Sequence, residues 1–232
     1  MPKFFTDREN IKETVVLTGE DARHIGKVLR MACGDEVTLC DKEGTDYICK
    51  INEITKETVT LSVTESMACP AELGVKITLY QCIPKSGKMD SIIQKATELG
   101  ACEIVPVLSK RCVAKGEKPE RWQKIAYEAA KQCGRGIIPS VRNTVSFDEA
   151  VEELSKKDLA FFPYEDASDG KLFYDGCAQS IGFIVGPEGG FDLSEVEKAR
   201  NAGIKICTLG KRILRTETAG SAVISVLAYL CE

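Results

Sequence analysis

Two short loops hold most of the residues able to do chemistry. The first is Gly186-Pro187-Glu188-Gly189-Gly190. It follows an apolar run over 181–185 and precedes a helix start marked by Asp192 with Glu195 three residues on, the spacing of a capping box. The second loop follows an apolar run over 204–209, breaks at Gly210 and holds Lys211, Arg212 and Arg215. Thr216 then reads as the N-cap of a helix over 217–231. Glycines let backbone come close to a ligand, and its N–H and C=O groups can read a heterocycle without charged side chains. Glu188 and Glu217 are candidate proton acceptors. Arg212 and Arg215 are candidates to stabilise an anion or hold a phosphate. Each also has a plain structural reading: a tight turn, a carboxylate on a helix first turn, an ion pair. Ligands of open parallel sheets sit where strand ends meet helix N-termini, so the active site is expected at these loops.

Other chemistries find little support. There is 1 histidine, His24, which argues against a Ser-His-Asp or Cys-His mechanism. The 11 cysteines show no Cys-x-x-Cys spacing; several fall in apolar runs (Cys40, Cys49, Cys82, Cys207) and read as buried reduced thiols. With that spacing and one histidine, no metal is expected. Neither a G-x-G-x-x-G after a strand nor a P-loop is present. No apolar run approaches the roughly 20 residues that span a bilayer, and residues 1–10 are polar, so the chain is expected in the cytoplasm. The net charge of −4 is uneven. Residues 1–70 carry 9 Lys/Arg against 13 Asp/Glu, whereas 84–142 carry 12 against 6, a surplus that suits a phosphate backbone as well as a solvated face.

The elements that must position the loops alternate in type. Residues 1–70 read as short strands (15–17, 36–40, 47–54, 58–64) with one helix from Thr18 to about 31, a pattern of small antiparallel barrels. That helix puts Arg23, Lys27 and Arg30 on one face at i, i+4, i+7. A linker follows over 67–74, with Pro70 and Gly74. Beyond it come strand 75–83, helix 89–99, strand 104–108, helix 121–133, a short strand near Val141, helix 147–155 and strand 158–163, before the two strand–loop–helix units above. Such alternation implies an α/β layer with a mostly parallel sheet. Trp122, the single tryptophan, reads as a packing residue.

Gly-Pro-Glu-Gly-Gly, followed about twenty residues on by Leu-Gly-x-Arg-Ile-Leu-Arg-x-Glu-Thr-Ala, resembles the RsmE family of ribosomal RNA methyltransferases, in the SPOUT superfamily. Upstream the resemblance continues in order through residues 24–30, 94–100, Arg111-Cys112 and 132–135. It covers nearly the whole chain; only the early residues depart, with Lys3 and Arg8 as their cations. The resemblance implies an α/β protein in two domains: a PUA-like RNA-binding β-barrel over 1–70, and a SPOUT α/β domain over 74–232 with a deep trefoil knot. It implies S-adenosylmethionine as cofactor, N3 of a uridine in 16S ribosomal RNA of the small subunit as acceptor, and a homodimer. Its cofactor residues fall here on Phe162, Pro163, Gly186, Pro187, Glu188, Gly189, Gly190, Leu209, Gly210, Arg212, Ile213, Leu214, Thr216, Thr218 and Ala219. Arg215, Glu217 and Arg135 are expected to be catalytic. Arg23, His24, Lys27, Arg30, Lys88 and Arg111 are expected to contact RNA. A related enzyme acting on a ribose 2′-hydroxyl or on another RNA position, or a non-catalytic RNA-binding protein of the same fold, are the alternatives.

Overall fold

The structure is a computed structural model and describes residues 1–85, 87–113 and 118–232. Lys115 and Glu117 of the net-positive stretch lie outside the described residues. The chain packs as two units, one of residues 1–72 with 130–138, the other of 73–129 with 139–232.

The first unit is a curled five-stranded sheet. Its strands are β1 (Lys3–Phe5), β2 (Thr14–Thr18), β3 (Glu36–Cys40), β4 (Thr45–Ile54) and β5 (Thr58–Ala68), in the order β1-β3-β4-β5-β2. All pairs are antiparallel except β1 on β3. Period-two alternation turns Val15 and Leu17, Leu39, Ile51, Val59 and Leu61 inward, where Phe4 joins them. One helical turn, α1 (Gly19–Arg23), adds Ala22 to this core, and the π-turn after it adds Ile25.

The expected single helix from Thr18 to residue 31 is not what forms. Thr18 makes no side-chain cap bond, and α1 widens after Arg23 into a π-turn over His24–Val28. The Leu29 N–H donates to the His24 carbonyl at 2.9 Å and the Met31 N–H to the Ile25 carbonyl at 3.1 Å. Arg30 closes the turn at φ 55°. Gly26, a weak helix former, sits inside it, and the wider turn keeps Ile25 wholly buried. Arg23, Lys27 and Arg30 are exposed but do not share a straight helical face, while His24 sets its ring edge-on to Phe4 at 5.9 Å.

Residues 130–138 complete this unit. The Glu72 carboxylate accepts from Arg135 Nη2 at 2.7 Å and Nε at 3.2 Å, and from the N–H groups of Gly136 and Ile137, both at 2.8 Å. Lys3 Nζ donates to the Gly134 carbonyl at 2.8 Å and pairs with Asp46 at 2.7 Å. A side chain at Gly136 could not fit, since a Cβ there would lie 2.6 Å from the Cys69 Cβ.

The second unit is a parallel sheet between two helical layers. In chain order it comprises β6 (Lys76–Cys82), α2 (Met89–Glu98), β7 (Ala101–Leu108), α3 (Pro119–Cys133, the last residues belonging to the first unit), β8 (Ser140–Val141), β9 (Val145–Ser146) and α4 (Phe147–Leu154). β10 (Leu159–Pro163), β11 (Ser180–Val185), α5 (Leu193–Asn201), β12 (Lys205–Cys207) and α6 (Thr216–Cys231) follow. The strand order is β12-β10-β11-β6-β7-β8, with β9 also on β7, and every pair is parallel. Such strands are buried on both faces, which explains their unbroken apolar runs. Ile77, Leu79, Phe161 and Phe183 meet Ile92, Ile93, Trp122, Val223 and Leu227 on one face. Tyr80, Cys82, Phe162 and Ile184 meet Phe147, Val151, Leu154 and Val196 on the other. Between β10 and β11 the chain runs close over β12: Thr208 N–H donates to the Gly170 carbonyl at 3.2 Å. Gly170 has φ +85°, and a Cβ there would collide with the Ile206 carbonyl oxygen. Only glycine suits that passage.

Candidate active site

A cavity of about 440 Å³ opens where β10, β11 and β12 end. Its wall comes from three loops: Pro163 to Ser168, Gly186 to Phe191, and Thr208 to Leu214, with Thr216 and Ala219 of α6 behind them. Each loop follows a parallel strand, so sheet direction alone gathers them at one edge.

Hydrogen bonds hold the loops in register. Asp192 caps α5: its side chain accepts from the Ser194 N–H at 3.1 Å, and Glu195 reaches back to the Asp192 N–H at 2.9 Å. Glu195 also accepts from the Lys110 N–H at 2.9 Å, which accounts for a carboxylate only 3 % exposed. Arg111 Nη1 donates to the Gly189 carbonyl at 2.9 Å. On the other side, Lys88 Nζ lies 3.0 Å from Glu188 and 3.2 Å from Glu217, joining the glycine loop to the first turn of α6. Glu188 further accepts from the Lys85 N–H at 3.1 Å.

These contacts set the charge state. Burial works against ionisation of Glu188, but Lys88 and the Glu188 and Lys85 N–H groups outweigh it, leaving its carboxyl below the usual range. The Glu217 carboxyl is lowered first by its own N–H and then, against burial, by Lys88 and Arg215. Both carboxylates hold the Lys88 ammonium above its ordinary value.

Thr216 is not the N-cap of α6. Arg215 occupies that position with extended backbone, φ −66° and ψ 152°, and its carbonyl accepts from the Thr218 and Ala219 N–H groups, both at 2.8 Å. The Thr216 hydroxyl instead donates to the Gly186 carbonyl at 2.7 Å and accepts from Gln81 Nε2 at 2.9 Å.

Of the residues expected around a cofactor, Pro163, Gly186, Pro187, Gly190, Leu209, Gly210, Arg212, Ile213, Leu214, Thr216 and Ala219 line the cavity. Phe162, Glu188, Gly189 and Thr218 do not. Phe162 is wholly buried against Phe191 and Phe147, because alternation along β10 turns it into the core beneath the loop. Glu188 and Gly189 face Lys88 and Arg111 instead, and Thr218 points to solvent. The cations expected at RNA or at the reaction centre fare unequally. Arg215 is exposed beside Thr216; Lys88 and Arg111 are taken up by loop acceptors; Arg135, 3 % exposed, belongs to the first unit and pairs with Glu72. Lys211 of the basic loop and Tyr164 line it too, and Glu165, Ala167, Ser168, Phe191 and Thr208 do so without having been singled out. Their signal was only position, next to a strand end; Gln81 had none, since nothing local marks a glutamine in a strand as a partner of Thr216.

The geometry has counterparts among known proteins. The model of the RNA methyltransferase domain family matches residues 71–228, and that of the RNA methyltransferase PUA domain matches residues 17–64. Ribosomal RNA small subunit methyltransferase E of Bacillus subtilis (strain 168) is 34% identical over 250 residues, covering 100% of this chain and 98% of its own. The chain belongs to the ribosomal RNA small subunit methyltransferase E family. The family member from Aquifex aeolicus (strain VF5) is 31% identical over 96% of this chain and 97% of its own. A crystal structure of the family member from Neisseria gonorrhoeae, bound to S-adenosyl methionine, superposes with a TM-score of 0.87 at 32% identity, covering 99% of this chain and 98% of that one. The two expected domain types, a PUA domain and an α/β methyltransferase domain, are thus both present in this member of the family. Among the described residues no helix is long and apolar enough to cross a membrane.

Proposed function

We propose that this protein transfers the methyl group of S-adenosylmethionine to N3 of a uracil in 16S ribosomal RNA of the small subunit. The observation that carries this reading is the loop-walled cavity at the ends of β10, β11 and β12, in a chain alignable end to end with a relative that binds that cofactor. The cavity fits the group. It has the size of a small-molecule site, its walls mix apolar side chains (Leu209, Ile213, Leu214) with backbone, and Gly210 leaves open space where a side chain would stand. Glu165, Ser168 and Thr208 add polar groups that suit hydroxyls and an amine.

S-adenosylmethionine supplies an electrophilic methyl group on a sulfonium. The chain has to hold the uracil in line with it and favour loss of the imide proton. Glu217, held ionised by its own N–H and by Lys88, is a weak base. We therefore assign the main effect to positive charge: Arg215, with Arg212 and Lys211 on the same loop, stabilises the uracil anion as the proton leaves for solvent. Glu217 keeps Lys88, and through it the Glu188 loop, in place. Arg23, Lys27 and Arg30 of the PUA domain, exposed and in no ion pair among the described residues, are assigned to RNA phosphates.

The deciding experiment incubates the purified protein and labelled cofactor with small-subunit rRNA from cells lacking it, then digests to nucleobases. Label retained on uracil supports N3; label lost with the sugar means a ribose hydroxyl; no cofactor binding means a non-catalytic RNA-binding protein.

The reading includes a homodimer. Val226, Tyr229 and Leu230 of α6 are exposed, Tyr229 by 82%, although α6 is apolar around most of its surface. A second copy seated on this face explains them. Light scattering at micromolar concentration is expected to give twice the chain mass, and Tyr229→Glu to give the monomer.

A further inference from the structure

We propose that Gln81, which lies outside the cavity, is a positioning residue for it. Gln81 is wholly buried in β6, paired in register with Val185 of the cavity wall. Its Nε2 donates to the Cys82 carbonyl and to the Thr216 hydroxyl, each at 2.9 Å. A threonine hydroxyl has one proton, and its rotor chooses where that proton goes. With the Gln81 amide already donating to it, the Thr216 oxygen can serve Gln81 only as acceptor, so its own proton is directed to the Gly186 carbonyl at 2.7 Å. That carbonyl is thereby turned towards α6, and the orientation of the Gly186–Pro187 peptide at the cavity wall is set.

The arrangement joins three elements distant in sequence. Gln81 sits on β6, Gly186 follows β11 and Thr216 opens α6. A ligand touching both the glycine loop and the α6 start needs their spacing held before it arrives, and preorganised hydrogen bonds provide that without a cost at binding. Gln81 Oε1 is buried with no partner among the described residues. An amide kept with one end unsatisfied points to a use for the other end that outweighs the burial cost. A strand residue needed only for packing would be apolar, as its face neighbours Ile77 and Leu79 are.

This inference rests on the cofactor reading of the cavity, and the test separates the two. Calorimetric titration of the unaltered protein with S-adenosylmethionine comes first, and absence of binding there overturns the cofactor reading itself. Given binding, Gln81→Met, of similar size but without donors, is expected to weaken cofactor affinity about 10-fold in protein whose circular dichroism is native. Steady-state assays should show a raised KM for the cofactor with kcat reduced less than threefold. Thr216→Val is expected to weaken binding as well, and the double variant to be no weaker than Thr216→Val alone, because both act through one carbonyl. Additive effects, or a Gln81→Met affinity within twofold of the original, overturn the proposal. Should Gln81→Met fail to fold, Gln81→Asn, polar but too short to reach Thr216, gives the same comparison.

Discussion

Replacing Arg215 by alanine is expected to lower kcat by about 10²–10³-fold while leaving cofactor affinity within about twofold. The size follows from what one preorganised charge at a developing anion contributes to a transition state. The selectivity follows from the structure. Arg215 starts α6 through its carbonyl, which accepts from Thr218 and Ala219, and alanine supplies the same carbonyl. Its side chain is exposed and does not line the cavity. Arg212 does line it, so Arg212→Ala is expected to raise the KM for cofactor as well as to lower kcat. The defect of Arg215→Ala should shrink as pH rises, because the uracil imide then loses its proton without help, and Arg215→Lys should recover part of the rate. Single-turnover methylation across pH measures all three. A kcat for Arg215→Ala within threefold of the original would remove the arginine from the chemistry.

Glu72→Ala is expected to destabilise the first unit by about 3–5 kcal/mol, the range for breaking a buried ion pair from one side. Glu72 holds the Arg135 guanidinium and two backbone N–H groups at once, and Arg135 is 3 % exposed. Glu72→Gln should cost less, since its amide oxygen still accepts from Gly136 and Ile137. Urea unfolding followed by circular dichroism gives both values, and a loss under 1 kcal/mol for Glu72→Ala would show that 130–138 is held by other contacts. The same geometry bears on dissecting the protein. A fragment of 75–232 separates Arg135 from Glu72, so its C-terminal unit is not the isolated body that the linker at 67–74 suggests. An Arg135 variant that lost methylation would report this lost anchorage as readily as lost chemistry, and only a stability measurement distinguishes them.

What the sequence alone determined is what depends on near neighbours. The alternation of strand and helix after residue 75 was legible because buried parallel strands are apolar throughout and amphipathic helices are not. The start of α5 was legible because a capping box closes within three residues, and it stands as read. The cavity was legible because a glycine loop at the end of a parallel strand has one edge to face. Local rules failed where a local signal had a distant competitor. Thr216 has an N-cap residue type, but its hydroxyl is taken by Gln81, 135 residues away, and by Gly186, 30 away. The spacing of Arg23, Lys27 and Arg30 assumed 3.6 residues per turn, and burial of Ile25 beside Gly26 gave a wider one. Lys88, Arg111 and Arg135 looked alike as cations in a net-positive stretch. Folding decided between them, because a charge goes to the acceptor that the tertiary structure sets within about 3 Å, and Glu188, the Gly189 carbonyl and Glu72 lie 100, 78 and 63 residues away along the chain.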